Sequence, residues 1–268
     1  METLELIGYC SSVLIGIILG LVGGGGSILT TPVLIYFFAT DDEVATSYSL
    51  FVVGISALVG ILQRVGTPFI SVKEGLLFAI PSTITAFIMR GLIMPNIPEK
   101  LMFYSTTIPK NTLIIIALGI LMITTSLKML FSKEKDKMNK NIPFSLVLAF
   151  GMATGILAGF VGAGGGFLIV PALIFMGLPT KKAIGTSMLV ITIQSSIAFL
   201  GDFNSEKIMG ANGLNWSLLL TLSGLTIIGV LIGGRFTKKI NANILKKGFG
   251  VIVLVIGSLL VLDKLNTF

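Results

Sequence analysis

The chain alternates long apolar runs, free of charged side chains, with short polar connections. Residues 6–40 carry no charge, and neither do residues 141–180. Shorter uncharged runs follow each of these, at 44–63, 75–89 and 111–127 in one half and at 183–201, 208–234 and 248–262 in the other. A helix crosses the hydrocarbon core of a bilayer in about 20 residues, so each of these six runs predicts one membrane helix. The two leading runs are too long for a single span. Each is interrupted by a glycine cluster, G-L-V-G-G-G-G-S-I-L-T-T-P at 20–32 and G-F-V-G-A-G-G-G-F-L-I-V-P at 159–171. Glycine loses the conformational bias that keeps a helix going. Each long run therefore predicts two helical arms, 6–22 with 27–39 and 143–161 with 166–178.

The glycines and the closing proline of the two clusters match at an offset of 139 residues, just over half the chain. The match continues: Ala45-Thr46-Ser47 opens the run after the first pair, and Gly185-Thr186-Ser187 opens the one after the second. An internal repeat follows, and the basic residues decide its sense, because Lys and Arg stay cytoplasmic. If each broken pair returns to the side it entered from, 14 Lys/Arg fall inside and five outside, with nine of the 12 acids outside. If each pair crosses once, the basic residues divide evenly. The expected fold is an all-α integral membrane protein of two inverted repeats, each a glycine-broken helix pair (a hairpin) followed by three transmembrane helices. Residues 1–127 form the first repeat, 128–141 a basic cytosolic linker and 142–268 the second. The 128–140 and 235–247 loops are expected in the cytosol. Arg90, Lys100 and Lys110 fall outside as exceptions.

Composition agrees. Of 268 residues, 54% are hydrophobic and 12% charged, with mean hydropathy +1.00. A soluble domain carries about 25% charged residues. Glu2 and Glu5 stand where a cleaved signal peptide would be basic, so the first run reads as a retained helix. One cysteine, Cys10, excludes an internal disulfide or a thiolate metal site, and the absence of histidine excludes imidazole chemistry. No cofactor is expected. The net charge of +7 reads as loops lying near anionic lipid, with no nucleic-acid partner.

The doubled glycine stretch, with an [A/G]-T-S helix start after each copy, resembles the TauE/SafE family of sulfite- and organosulfonate-exporter-like membrane proteins. The resemblance covers nearly the whole chain. It implies plasma-membrane transport of small, often sulfur-containing anions. Asp41-Asp42-Glu43 stands where the second half has Pro179-Thr180-Lys181-Lys182, a difference that the two membrane sides account for.

Unwound backbone in a membrane is tolerated only where protein or a polar cavity covers it. The glycine breaks, Gly23, Gly24, Gly25 and Gly26 in one half and Gly162, Gly164, Gly165 and Gly166 in the other, are therefore candidate anion sites. Free N–H groups and the start of each second arm supply partial positive charge. Tight helix crossing is the simpler explanation of the small residues. Pro32 and Pro171 read as kinks. The hydroxyls of Thr46, Ser47, Thr186 and Ser187 either line the site or cap a helix. Gln194 shares a helical face with Ser187 and needs a partner, with Ser195 and Ser196 nearby. Its counterpart is Gly54, with Ser56. Arg64 and Arg90 read as side chains snorkelling to the interface, with a buried countercharge as the sharper alternative. Trp216 and Tyr104 read as interfacial anchors. No acid falls in the middle of a predicted span, which leaves no carboxylate relay.

The expected function is transport of a small anion, sulfite or another sulfur oxyanion or organosulfonate, from a site between the two glycine-broken pairs. An anion channel is the first alternative. A non-transport membrane subunit is the second, and an intramembrane enzyme lacks both base and metal ligands.

Overall fold

The computed structural model describes residues 2–24, 26–89, 93, 96, 100–103, 106–131, 143–161, 166–202 and 214–265. The first half gives helices α1 (Glu2–Val22), α2 (Gly26–Phe38), α3 (Asp42–Leu62), α4 (Val72–Ile88) and α5 (Lys110–Phe131). The second gives α6 (Phe144–Val161), α7 (Gly166–Phe175), α8 (Thr180–Asp202), α9 (Trp216–Lys239) and α10 (Ala242–Leu265). Both arms of each long uncharged run are helical, and α1 ends at Val22, where Gly23 takes φ 85°. Besides the helices there is one short antiparallel ribbon, β1 (Lys100–Phe103) with β2 (Thr106–Pro109), in the connection before α5. It is a small addition to the all-helical expectation, and the β-branched Thr106, Thr107 and Ile108 favour it. The linker at 132–142 and the residues Arg90 and Tyr104 lie outside the described residues.

Helix ends follow local chemistry rather than the limits of the uncharged runs. Within the run 208–234 a helix starts at Trp216, where the side chain of Asn215 accepts from the Leu218 N–H at 3.1 Å. α7 ends where Gly177 turns left-handed (φ 101°), and the Leu178 N–H reaches back to the Leu173 carbonyl at 3.0 Å. α2 ends the same way without a glycine: Ala39 takes φ 48°, and the Thr40 N–H bonds the Leu34 carbonyl at 3.2 Å. Pro32 lies inside α2 and Pro171 inside α7.

The packing is built on small residues. Gly16 and Gly20 of α1 face Gly229 and Gly233 of α9, in order, so the two helices run in the same direction. A Cβ on Gly20 would lie 2.6 Å from the Val230 carbonyl oxygen, and one on Gly229 would lie 2.8 Å from the Gly16 Cα. In the other half Gly151 and Gly155 of α6 lie on α4 around Phe78, Pro81 and Ser82, again in order. Without a water-driven hydrophobic force between membrane helices, close backbone approach of this kind is what holds them. α3 packs along α8, α5 along α10, α3 against α9 and α4 against α8. Exchanging the first five helices for the last five maps this set of neighbours onto itself.

Within the first broken pair, the Tyr9 ring of α1 meets the Phe38 ring of α2 edge-on, with centroids 5.1 Å apart. The core at the centre of the bundle joins Leu19, Val53, Phe78, Ile169, Leu173, Met188, Val190 and Val230, from six helices. The outward faces stay apolar: Leu14, Leu58, Ile84, Leu220, Val255 and Leu259 are exposed. Among the described residues four helices, α1, α3, α8 and α9, are long and apolar enough to cross a membrane. The chain is a multi-pass helical membrane protein.

Candidate functional site

The α3–α8 pair is the axis of the site. The Ser47 hydroxyl near the start of α3 donates to the Asp202 carboxylate at the end of α8 (2.6 Å). A Cβ on Gly54 would sit 3.3 Å from the Ser195 Cβ, and one on Gly60 would sit 2.6 Å from the Met188 sulfur. The three contacts run in opposite order along the two helices, so α3 and α8 are antiparallel. They cross at Gly54 and Ser195, near the middle of each.

At that level the interior is polar and unpaired. Gln194 is 3% exposed, and neither its Oε1 nor its Nε2 has a hydrogen-bond partner. The hydroxyls of Ser195 and of Ser56 on α3 are buried and unpaired too. Gly75 of α4 abuts Thr186 and Leu189 of α8. Seven and eight residues on, Ser82 and Thr83 come level with Gln194 and Ser195, and both hydroxyls are buried without a partner. Gly60 of α3 abuts Val230 of α9. Seven residues back, Ser223 comes level with Val53, and its hydroxyl is likewise unpaired. By register along the helices, five unpaired hydroxyls and one unpaired amide from four helices thus come to one level. Each such group left unpaired costs about 1–3 kcal/mol, and natural proteins keep few of them. A polar ligand that accepts and donates hydrogen bonds is the chemistry this layer fits. Among the described residues no cluster of His, Cys, Asp and Glu could hold a metal.

About 10 Å further along α8, at 1.5 Å per residue, lies the first glycine break. Gly23 takes φ 85°, a conformation that favours glycine, and a Cβ there would meet the Ser187 hydroxyl and the Ile184 carbonyl, each at 2.5 Å. The last carbonyls of α1 have no helical N–H to accept from, and side chains from elsewhere supply the donors. The Ser187 hydroxyl lies 3.2 Å from the Gly23 carbonyl and 2.8 Å from that of Ile184. Thr237 of α9 donates to the Gly20 carbonyl (2.9 Å), and Arg64 donates to the same oxygen through Nη2 (2.6 Å). Arg64 Nη1 donates to the Gly60 carbonyl (3.0 Å) and to the Met188 sulfur (3.2 Å). Arg64 therefore departs from the snorkelling expected of it. It is 2% exposed and caps the broken end of α1. It lies in the connection beyond α3, where burial lowers its pKa to about 10, so it stays charged at neutral pH.

The residues singled out by sequence divide among these places. Gly23 and Ser187 meet across the two halves. Gly24 is buried beside them, and Gly26 and Gly166 begin α2 and α7. Thr46 lies in the first turns of α3. Ser47 is engaged by Asp202. The Thr186 hydroxyl accepts the Ser71 N–H at 2.9 Å, which ties the 63–71 connection to α8. Gln194 stands in the unpaired layer, Ser195 with it, and Ser196 is exposed. Gly25, Gly162, Gly164 and Gly165 lie outside the described residues. Trp216 is exposed at the start of α9 and stacks edge-on with Phe51. Sequence reasoning did not single out Ser82, Thr83, Ser223 or Thr237. Hydroxyls in mid-span are common, and only the partners brought by other helices separate these from the rest.

A multi-pass helical protein with an unpaired polar layer sealed at its centre belongs to the class of membrane proteins that handle polar solutes. The chain belongs to the sulfite exporter TauE/SafE family, whose profile matches residues 9–260. It is similar to a Xylella fastidiosa protein named "Probable membrane transporter protein", 28% identical over 252 residues that cover 91% of this chain and 89% of that one. A Methanocaldococcus jannaschii protein described in the same words is 27% identical, covering 92% of this chain and 88% of its own length. A Bacillus subtilis protein so described is 25% identical, covering 92% and 96%. The chain is a membrane transporter of the TauE/SafE type.

Proposed function

We propose that the protein moves a small sulfur oxyanion, sulfite or an organosulfonate, across the plasma membrane. The substrate site is the buried layer of Gln194, Ser195, Ser56, Ser82, Thr83 and Ser223. The observation that carries this reading is the set of unpaired donors at one level of an apolar core. A tetrahedral or pyramidal oxyanion accepts several hydrogen bonds at once, and hydroxyls and amides serve it without a fixed countercharge. The first glycine break, at Gly23, lies along α8 from the layer beside Ser187. The starts of α2 and α7 at Gly26 and Gly166 bring helix N-terminal dipoles of favourable sign. Ser187, Thr186, Thr46 and Ser47 shape the ends of the passage.

The two halves are inverted repeats, and each broken pair is a hairpin. The Tyr9–Phe38 contact supports a chain that doubles back at Gly23. The antiparallel course of the equivalent helices α3 and α8 supports a two-fold axis lying in the membrane plane. Alternating access then comes from one half moving against the other. On this reading the 128–140 and 235–247 loops lie in the cytosol. A single cysteine placed in 128–140, with Cys10 replaced by Ser, then reacts with an impermeant maleimide only in opened cells, and labelling of intact cells would sink the topology.

The substrate is tested in proteoliposomes with sulfite, thiosulfate, methanesulfonate and sulfate. Saturable flux of at least one is expected, and Gln194→Leu raises its half-saturation concentration about tenfold, the effect of losing roughly 1.4 kcal/mol of binding. Flux that never saturates favours a channel. Unchanged half-saturation in a folded Gln194→Leu protein removes the layer as the site.

A further inference from the structure

Among the described residues, Arg64 is the one charged side chain in the buried core. Its three hydrogen bonds go to two carbonyls and a thioether, all neutral acceptors. They use three of the five N–H groups that a guanidinium carries. No carboxylate of the described residues pairs with it, and desolvation is the only influence on its titration. The broken end of α1 offers the negative pole of a helix, equivalent to about half a charge. Positive charge and free donors are therefore left over in an interior where an uncompensated ion is costly. A buried cation with donors to spare suits an anionic solute.

Its position fits such a path. Arg64 bonds Met188, next in sequence to Ser187, and Ser187 shares one face of α8 with Gln194, two helical turns away. The guanidinium thus stands about 9–10 Å along α8 from the unpaired layer, beside the break at Gly23. Capping alone would not require a guanidinium here. Thr237 already donates to the Gly20 carbonyl, and a hydroxyl satisfies a carbonyl without bringing a buried charge.

We propose that Arg64 is a second anion station: its uncommitted N–H groups bind the oxyanion between the Gln194 layer and the α3 end of the bundle. The proposal rests on the oxyanion reading above. A planar fork of donors matches an oxyanion through two parallel bonds, which a lysine ammonium cannot reproduce.

The test reads the thermal stabilisation of purified protein against concentration of sulfite, of methanesulfonate and of sodium chloride as the ionic control. Wild type is expected to melt higher in sulfite or methanesulfonate, along a saturating curve. Arg64→Gln is expected to be monodisperse and to need at least tenfold more anion for half the shift. Arg64→Lys, which keeps the charge and loses the fork, is expected to fall between. A merely structural Arg64 lowers the melting temperature without anion and leaves the half-saturating concentration where it was. That result in Arg64→Gln overturns the station. If Arg64→Gln does not fold, Arg64→Lys decides: wild-type half-saturation overturns the station, and a rise of threefold or more supports it. Saturable flux with an unchanged Arg64 variant removes the station and keeps the transport reading. Arg64-dependent anion stabilisation without flux does the reverse.

Discussion

Gly119 of α5 and Gly257 of α10 face each other so closely that each would strike the other's backbone if it had a side chain. A Cβ on Gly119 would lie 2.9 Å from the Gly257 carbonyl oxygen, and one on Gly257 would lie 3.1 Å from that of Gly119. The contact is reciprocal. Backbone cannot swing aside as a long side chain can. Gly119→Leu or Gly257→Leu should therefore push the helices apart, at a cost of about 1–3 kcal/mol for overpacking. The measurement is the melting temperature in detergent, and both variants should fall by several degrees.

The α1–α9 contact makes a sharper comparison. At Gly16 a Cβ would run into the Thr226 carbonyl and lie 2.9 Å from the Gly229 Cα, whereas at Gly224, on the same α9, it would meet nothing within 4 Å. Alanine is favoured over glycine inside a helix by roughly 0.5–1 kcal/mol. Gly224→Ala should raise the melting temperature slightly, and Gly16→Ala should lower it. A rise in both would mean that the α1–α9 approach is looser than described.

Ala39 offers a gain. It closes α2 in the left-handed region, where α7 uses Gly177 for the same turn. A side chain in that region costs roughly 1–2 kcal/mol. Part of this returns when glycine frees the unfolded chain. Ala39→Gly should stabilise the protein by about half a kcal/mol. Gly177→Ala, the reverse change, should destabilise it, and equal effects of the same sign would contradict the account.

These residues also mark how far the sequence could be read. The helices were legible because run length and charge act locally, and the doubled glycine stretch is a feature of the sequence itself. Gln194 was legible as well, since an amide in an apolar span stands out. Arg64 was misread: beside Gln63 at a helix end it looked like a side chain free to reach the interface. Its burial depends on the Gly20 carbonyl, 44 residues away, and on Met188 in the other half. Thr186 looked like Ser187 on paper, yet the Ser71 N–H claims one hydroxyl and the broken end of α1 claims the other.

By itself the sequence determined that this is a helical membrane chain, with a repeated glycine stretch near the middle of its two longest uncharged runs. Those features follow from the cost of charge in lipid and from the conformational freedom of glycine. Only the tertiary structure decided which polar groups are spent and which are spare. Whether a buried hydroxyl is satisfied depends on what a distant helix brings within about 3 Å of it, and no local pattern encodes that. Ser187 and Thr237 have carbonyls within reach on their own helices and at the broken end of α1, while Gln194, Ser195, Ser56, Ser82, Thr83 and Ser223 are left unpaired at the level where α3 crosses α8.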